Sequence, residues 1–482
     1  NDRIWNSAQK LCHQDPKVFA QYFGNLAIDA ACEAWLGPNY QMTAQVNLVR
    51  PGGALVVGIE NRFGLAYWLQ ADEDHLGLPF VGLEGYPPVA ATGATATVRT
   101  FSRPELAGHL TAAGLTAQRW YQPFPDYKLP TTVLTDRCYD QPDAVDLVDQ
   151  LVGPPIDRSR MGGRVSADER AIHRQVIGAG HGADMANSFL VVAATDDTAL
   201  DRRSDGDALA WRFTGDRRRA HLRVRRLTDD GVRRIDRRAT HPVETATGDD
   251  RWLVLRSPGG ATDDYTPGPN LEQVALDRIR AGDLTGVRVV LAAWSAVADR
   301  DAVHRTVSDA EAHPFLSAGS RTVLPGDHLD LGLDNLVGPV DRPDELRFVD
   351  DEWEATGGVD RHLVAVRTCW KLAAALVAGG TRHPWPPSTT VDRLADKLCA
   401  LLPDGPPTAT VDHLHLAEAS LRIEAMGGDL ATHVAQLRAV GRRSVADPTV
   451  GSGGRSPLGR RLAALKRLPG GGRLADLVRR LR

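Results

Sequence analysis

Cysteine is scarce in this sequence and long apolar runs are missing, and both features exclude classes of protein. The 482 residues include five cysteines, scattered without a C-x-x-C spacing. This pattern excludes a disulfide framework and a zinc knuckle, and it indicates free thiols in a reducing cytoplasm. The longest apolar runs, such as residues 372–378, are far too short to span a membrane, and no secretory signal is visible.

An excess of charge of one sign is also lacking. The formal net charge is −4 at pH 7, so the composition does not favour a nucleic-acid partner and we expect none. Hydrophobic residues make up 42% of the chain, which is enough to build buried cores. The length corresponds to roughly three domains.

Asparagine and arginine are distributed unevenly along the chain. Asparagine occurs five times in residues 1–47 and four times in all the rest, whereas Arg3 is the only arginine of that first segment. A shift this sharp predicts a boundary near residue 47, or two different origins for the chain.

Residues 48–136 form the segment around which the rest is organised. A turn at 51–53 precedes an apolar run at 54–59, which predicts a central parallel strand. Ser102 and Glu105 form a capping box that predicts a helix ending at Gly114. Further strands are predicted at 116–121 and 131–134. The predicted order is strand, long loop, helix, strand, strand.

The sequence of this segment resembles the last third of class I S-adenosylmethionine-dependent methyltransferases of bacterial surface-polysaccharide clusters. The motifs that carry the resemblance are PGG at 51–53, IENRFGLAYW at 59–68, EDHLGLPFVGLEGY at 73–86, RTFSRPEL at 99–106 and FPDYKLP at 124–130. The resemblance implies a partial Rossmann-like sheet, S-adenosylmethionine as cofactor and a saccharide or lipid-linked glycan as acceptor.

Candidate site residues follow from the same resemblance and from polar groups at the end of the first strand. Glu60, Asn61 and Tyr86 are the candidates for cofactor binding, since ligands bind at the carboxyl ends of strands in open α/β sheets. Asp74 and His75 are the catalytic candidates, because His75 can act as a general base for a hydroxyl or phosphate acceptor. The alternative is that Asp74 and His75 only brace the loop.

Residues 1–47 resemble part of a phytanoyl-CoA dioxygenase-type iron/2-oxoglutarate oxygenase, through the stretch YFGNLAIDAACEAWLGPNYQMTAQVN. The H-x-D pair that binds iron in that family does not follow Gly53, and His75 is the next histidine. The segment also contains no G-x-G turn for S-adenosylmethionine, so the cofactor site is incomplete and the protein could be inactive. We interpret the chain as a hybrid, with a single divergent family as the alternative.

Residues 185–270 and 271–440 resemble the small lobe and the helical lobe of kinase-like phosphotransferases, after a predicted linker at 137–184. The resemblance depends on H-x-D-x-x-x-x-N at 328–335 and on FVD at 348–350. It implies Asp330 as the residue that orients the acceptor hydroxyl, with Asn335 and Asp350 holding Mg²⁺ for ATP.

Lysine is absent between Lys128 and Lys371, so the kinase-like region lacks the lysine that grips nucleotide phosphates. The predicted strand at 221–227 offers Arg223, Arg225 and Arg226 instead, and arginine is not equivalent to that point charge. A non-catalytic kinase-like scaffold is therefore the alternative.

Residues 441–482 form a basic tail with nine Arg or Lys residues after position 454 and one acid, Asp476. Two short apolar faces in it predict amphipathic helices that could lie on an anionic membrane surface, with a solvated tail as the alternative. The resulting expectation is a cytoplasmic methyltransferase-like protein of α/β class at the inner face of the membrane, followed by an α+β kinase-like domain. The rival functions are an iron/2-oxoglutarate oxygenase and a scaffold for glycan assembly.

Overall fold

The structure is a computed structural model that describes residues 53–87, 99–128, 130–153, 167–201, 206–214, 217–240, 252–256 and 260–446. It is a mixed α/β protein with a large antiparallel sheet and several helices. The oxygenase-like segment 1–47 and the basic faces predicted after residue 454 lie outside the described residues.

One large sheet contains eight strands. They are Ala54–Glu60 (β1), Ala117–Phe124 (β2), Thr132–Thr135 (β3), Ser188–Ala194 (β4), Ala208–Phe213 (β5), Arg223–Asp229 (β6), Arg233–Ala239 (β7) and Ala261–Asp264 (β9). Their order is β1-β4-β2-β3-β5-β6-β7-β9, and every neighbouring pair is antiparallel.

The prediction that residues 54–59 form a central parallel strand is wrong. Within the described part of the chain, β1 is an edge strand and pairs antiparallel with β4. Its residues before Glu60 are only half-buried, as an edge position allows. A short apolar run predicts burial but not strand direction, because orientation depends on partners that are distant in sequence.

The local order of elements in this segment is confirmed. The helix Arg103–Ala112 (α2) begins at the capping box, where the Ser102 hydroxyl accepts from the Glu105 backbone N–H and the Glu105 carboxylate accepts from the Ser102 N–H. Gly114 has φ +83°, which permits the turn into β2. A four-residue helix, Leu65–Trp68 (α1), lies in the long loop.

The predicted linker at 137–184 and the predicted boundary after it do not separate two sheets. Helices Asp136–Tyr139 (α3), Ala144–Leu151 (α4) and Glu169–Gly178 (α5) lie in this region. Leu147, which is fully buried, packs in one core with residues of β2, β4 and β5. The structure therefore differs from the predicted division, since β4 inserts between β1 and β2.

The carboxyl half is mostly helical around its own large core. Its helices follow the short helix Asp197–Asp201 (α6); they are Leu271–Arg280 (α7), Leu284–Ala298 (α8), Arg361–Gly379 (α9), Val391–Cys399 (α10), Val411–Met426 (α11) and Leu430–Gly441 (α12). Apolar residues that share one face of α10 and of α11 are buried in this core, among them Leu394, Leu398, Leu414 and Leu421. The short strands here are Leu253–Leu255 (β8), Val303–Val307 (β10), Gly319–Leu324 (β11), Leu336–Val337 (β12), Arg347–Phe348 (β13), Trp353–Ala355 (β14) and Val359–Asp360 (β15).

Helix α9 is the one described helix that is long and apolar enough to cross a membrane, and 72% of its apolar window is buried inside the protein. Core helices of globular proteins have the same length and composition, so this finding is weak evidence for a membrane span.

We predict that a fragment of residues 48–184 does not fold by itself. It lacks β4, so β1 would lose the partner that it has in the described structure and β2 would lose one of its two. Unpaired backbone and exposed apolar surface make such a fragment prone to aggregation. Circular dichroism and gel filtration measure the outcome, with residues 48–446 as the control. A soluble, cooperatively unfolding fragment would contradict the single-sheet arrangement.

Candidate functional site

Glu60, Asp74 and Lys128 converge at the carboxyl end of β1. Lys128, in the turn after β2, places its Nζ 2.7 Å from Asp74 Oδ2 and in contact with Glu60 Oε1. The same ammonium lies 4.9 Å from the centroid of the Tyr127 ring. Glu60 is buried, whereas Lys128 is partly exposed, so this strand-end cluster is reachable from solvent through its lysine.

The pKa of Glu60 is raised to about 7. Burial is the main cause, and the neighbouring Asp74 adds to it, while Lys128 acts in the opposite direction. Two carboxyl groups beside one ammonium cannot both ionise without an excess of negative charge. The cluster therefore holds a proton that is exchanged near neutral pH, which is the property required of a general acid or base.

Tyr86 takes part in a buried network rather than in the strand-end cluster. Its hydroxyl lies 3.1 Å from Glu73 Oε1 and 2.7 Å from the Thr100 Oγ1, and it accepts the Thr100 backbone N–H. Burial raises the pKa of Tyr86. Its φ of +59° is uncommon for a non-glycine residue, and these bonds hold it there. In this structure Tyr86 fixes the shape of the loop.

Asn61 and His75 also lie apart from the strand-end cluster. The Asn61 side chain is fully buried; it donates to the carbonyls of Asp184 and Ala186 and accepts the Phe63 N–H. Its amide is thus used to tie the loop to the segment before β4. His75 is exposed at the loop tip, where its backbone N–H donates to Glu73.

The second set of predicted residues lies between the sheet and the helical half. Asn335 Nδ2 donates to the carbonyl of Asp330, and the Val349 N–H donates to the carbonyl of Asn335. Trp294 and Thr368 both donate to the carbonyl of Leu331. These bonds hold the motif loop against α8 and α9.

Asp330 is clamped by two cations of α9. Its carboxylate contacts Arg367 and lies 3.0 Å from Lys371 Nζ, which also lies 2.7 Å from Asp334. Burial alone would raise the pKa of Asp330, but the charges of Arg367 and Lys371 outweigh it and hold that pKa well below its usual range. Asp330 is thus a carboxylate throughout the neutral range.

Asn335 and Asp350 line the same cavity, of about 220 Å³. Its floor is the sheet face of β5, β6 and β7, which contributes Arg212, Arg225 and Arg237. Arg225 Nη2 lies 2.7 Å from Asp350 Oδ1. The predicted metal pair is therefore brought together at a cavity, and Asp330 lies behind it and does not line it.

The cavity residues Arg212 and Arg237 were not candidates from the sequence, and the sequence favours a structural role for the cluster residue Lys128. Arg225 and Arg237 are each six positions from Gly231, so hairpin symmetry about that turn could have paired them. Nothing in the sequence places Arg212 beside them. Among the residues that the structure describes, no three His, Cys, Asp or Glu side chains form a metal-binding group.

We predict that Glu60 makes stability pH-dependent in a definite direction. Its pKa of about 7 in the folded protein exceeds the ordinary value of 4.5, so the folded state retains a proton that the unfolded state has released. The contribution of Glu60 to the free energy of unfolding is therefore fully present below about pH 4.5, and it is lost as the pH rises through 7. A shift of this size corresponds to about 3 kcal/mol.

Glu60→Gln should flatten this pH dependence in urea unfolding measured between pH 5 and 8. Glu84→Gln, on an exposed side chain of the same loop, is the matched control. Equal slopes for wild type and Glu60→Gln would show that Glu60 does not hold the proton.

Comparisons with known proteins found no match to this chain among protein-family models, curated proteins or solved structures. The resemblances to methyltransferases, kinase-like phosphotransferases and oxygenases therefore stay predictions from sequence motifs.

Proposed function

We propose that this protein binds a nucleoside triphosphate with Mg²⁺ between the large sheet and the helical half, and transfers a phosphoryl group. One observation carries the proposal. Asn335 and Asp350, the two metal ligands predicted from the motif, line a single cavity together with Arg212, Arg225 and Arg237 and with the further acids Asp263, Asp264, Asp334 and Asp351. Carboxylate and amide oxygens facing guanidinium groups suit a phosphate chain with its metal ion.

The donor set fits Mg²⁺ in kind and number. Mg²⁺ takes few protein ligands and completes its shell with water and substrate phosphate. Asn335 uses its Nδ2 for Asp330, which leaves its carbonyl oxygen as a ligand. Asp350 would offer the carboxylate oxygen that Arg225 does not engage. Bound Mg²⁺ would neutralise charge that develops on the transferred group.

Asp330 would orient the acceptor hydroxyl. Its carboxylate stays ionised because Arg367 and Lys371 compensate its charge. A carboxylate held in this way would accept a hydrogen bond from the acceptor hydroxyl and orient it; as the bond from that oxygen to the γ-phosphorus forms, the bond to the nucleoside diphosphate breaks, and the hydroxyl proton passes to solvent.

Methyl transfer from S-adenosylmethionine to a saccharide or lipid-linked glycan is the second candidate. The strand-end cluster favours it, because Glu60 and Asp74 supply a group that exchanges a proton near pH 7. Calorimetric titration with S-adenosylmethionine tests it, and binding with a Kd below 100 μM (roughly −5.5 kcal/mol) would support it. No binding would remove this candidate.

The oxygenase and the non-catalytic scaffold are two further interpretations, and each is favoured by a different observation. The oxygenase depends on residues 1–47, and iron-dependent turnover of 2-oxoglutarate would favour it. A scaffold is favoured by the ion pairs that already engage Asp330 and Asp350. A cytoplasmic location at the inner membrane face remains part of the proposal through the basic tail.

We predict that Asp350→Asn weakens binding of Mg·ATP and that Asp330→Asn leaves binding intact but lowers turnover. Loss of the group that orients the acceptor hydroxyl lowers rates by about 10²-fold. ATP hydrolysis and calorimetric binding, with and without EDTA, measure the two effects.

Asp344→Asn, on an exposed side chain between Asn335 and Asp350 in sequence, is the matched control and should behave as wild type. Thermal unfolding of each variant checks that the fold is retained. If wild type neither binds nor hydrolyses ATP with Mg²⁺, phosphoryl transfer is excluded and the scaffold is favoured.

A further inference from the structure

Three arginines stand in a row across three adjacent strands of the large sheet. Arg212 of β5 is directly opposite Arg225 of β6, and Arg225 is directly opposite Arg237 of β7. All three line the cavity. Ala210, Leu227 and Ile235 line it too, and each lies two positions from one of the arginines, on the same sheet face. We call these three residues the arginine row.

Two members of the arginine row have acidic partners. Arg225 lies 2.7 Å from Asp350 and 3.1 Å from Glu352. Arg237 lies 3.0 Å from Asp263 and 3.4 Å from Asp351.

Arg212 differs from them, because its side chain forms no hydrogen bond or ion pair with any residue that the structure describes. Arg212 as a whole residue is exposed, and it lines the cavity.

Among the described residues, the Arg212 guanidinium has no acidic partner of its own, whereas Asp350 and Glu352 compensate the charge of Arg225 directly opposite. Desolvation in the cavity and the charge of Arg225 both lower the pKa of Arg212, although Asp350, Asp334 and Glu352 act in the other direction. An anion bound beside Arg212 would supply the partner that its side chain lacks.

We infer that the arginine row is a subsite for a phosphate chain, with Arg212 as the member that receives the ligand. A guanidinium binds phosphate oxygens in a bidentate manner, and the row repeats that group across the sheet. This inference depends on the proposed function, and it names the part of the ligand that is recognised.

The cavity volume limits what else is bound. About 220 Å³ is below the 300–1,000 Å³ that is usual for pockets enclosing a drug-sized ligand. A di- or triphosphate chain fits this space, whereas a base and ribose would have to extend outside it. Inorganic tripolyphosphate and the phosphates of ATP should therefore bind with similar affinity.

The experiment is calorimetric titration of the purified full chain with Mg²⁺ and tripolyphosphate, ATP or adenosine, at one fixed ionic strength. We expect tripolyphosphate and ATP to bind within about tenfold of each other and adenosine not to bind. Arg212→Gln should weaken both phosphate ligands about 10- to 100-fold, since a hydrogen bond to a charged group is lost. The affinity of Arg212→Lys for both phosphate ligands should lie between those of wild type and Arg212→Gln, because lysine keeps the charge but not the bidentate geometry.

Arg238→Gln is the matched control. Arg238 follows Arg237 on β7, so its side chain points to the opposite sheet face, and it is 71% exposed. Equal affinity of wild type and Arg212→Gln for Mg·ATP would overturn the inference and leave the proposed function standing. Binding of tripolyphosphate that needs Arg212, without any phosphoryl transfer, would support the inference and exclude the proposed function. Tight binding of adenosine, or no binding by any ligand, would overturn the inference.

Discussion

Backbone pairing of β4 with β1 on one side and β2 on the other is the constraint on which the rest of the structure depends. Phe189, Val191 and Ala193 of β4 are fully buried, and they pack in one core with residues from before and after the predicted linker. Since β4 separates two strands that precede it by 64 residues or more in sequence, the sheet cannot be divided at the predicted linker, residues 137–184. Stability of the amino-terminal part therefore includes contacts from the following segment.

Both candidate sites are placed by this one sheet. The strand-end cluster lies where β1 ends, and Lys128 reaches it from the turn after β2. The cavity lies on the face of β5 to β7, and α9 holds the motif loop behind it. In each site, acids and bases compensate one another because isolated charges are costly away from water. Arg212 is an exception, because its side chain forms no ion pair with any of the described residues.

Local features of the chain could be predicted because they depend on neighbouring residues. The capping box at Ser102 and Glu105 formed as expected, and so did the helix that it begins. The convergence of Asn335 and Asp350 agrees with the motif spacing, since a short segment joins them. The roles of Asp330, Asn335 and Asp350 stay predictions, as do those of Glu60, Asp74 and His75.

By itself, the sequence determined where α2 and the strands β1, β2, β3 and β6 lie, since side-chain periodicity and capping act over a few residues. It also determined which residues of the 328–350 motif lie near each other. Only the tertiary structure decided strand direction, the edge position of β1, the raised pKa of Glu60 and the register that aligns Arg212 with Arg225 and Arg237. These depend on pairing between segments far apart in sequence, and on burial that arises only when those segments pack together.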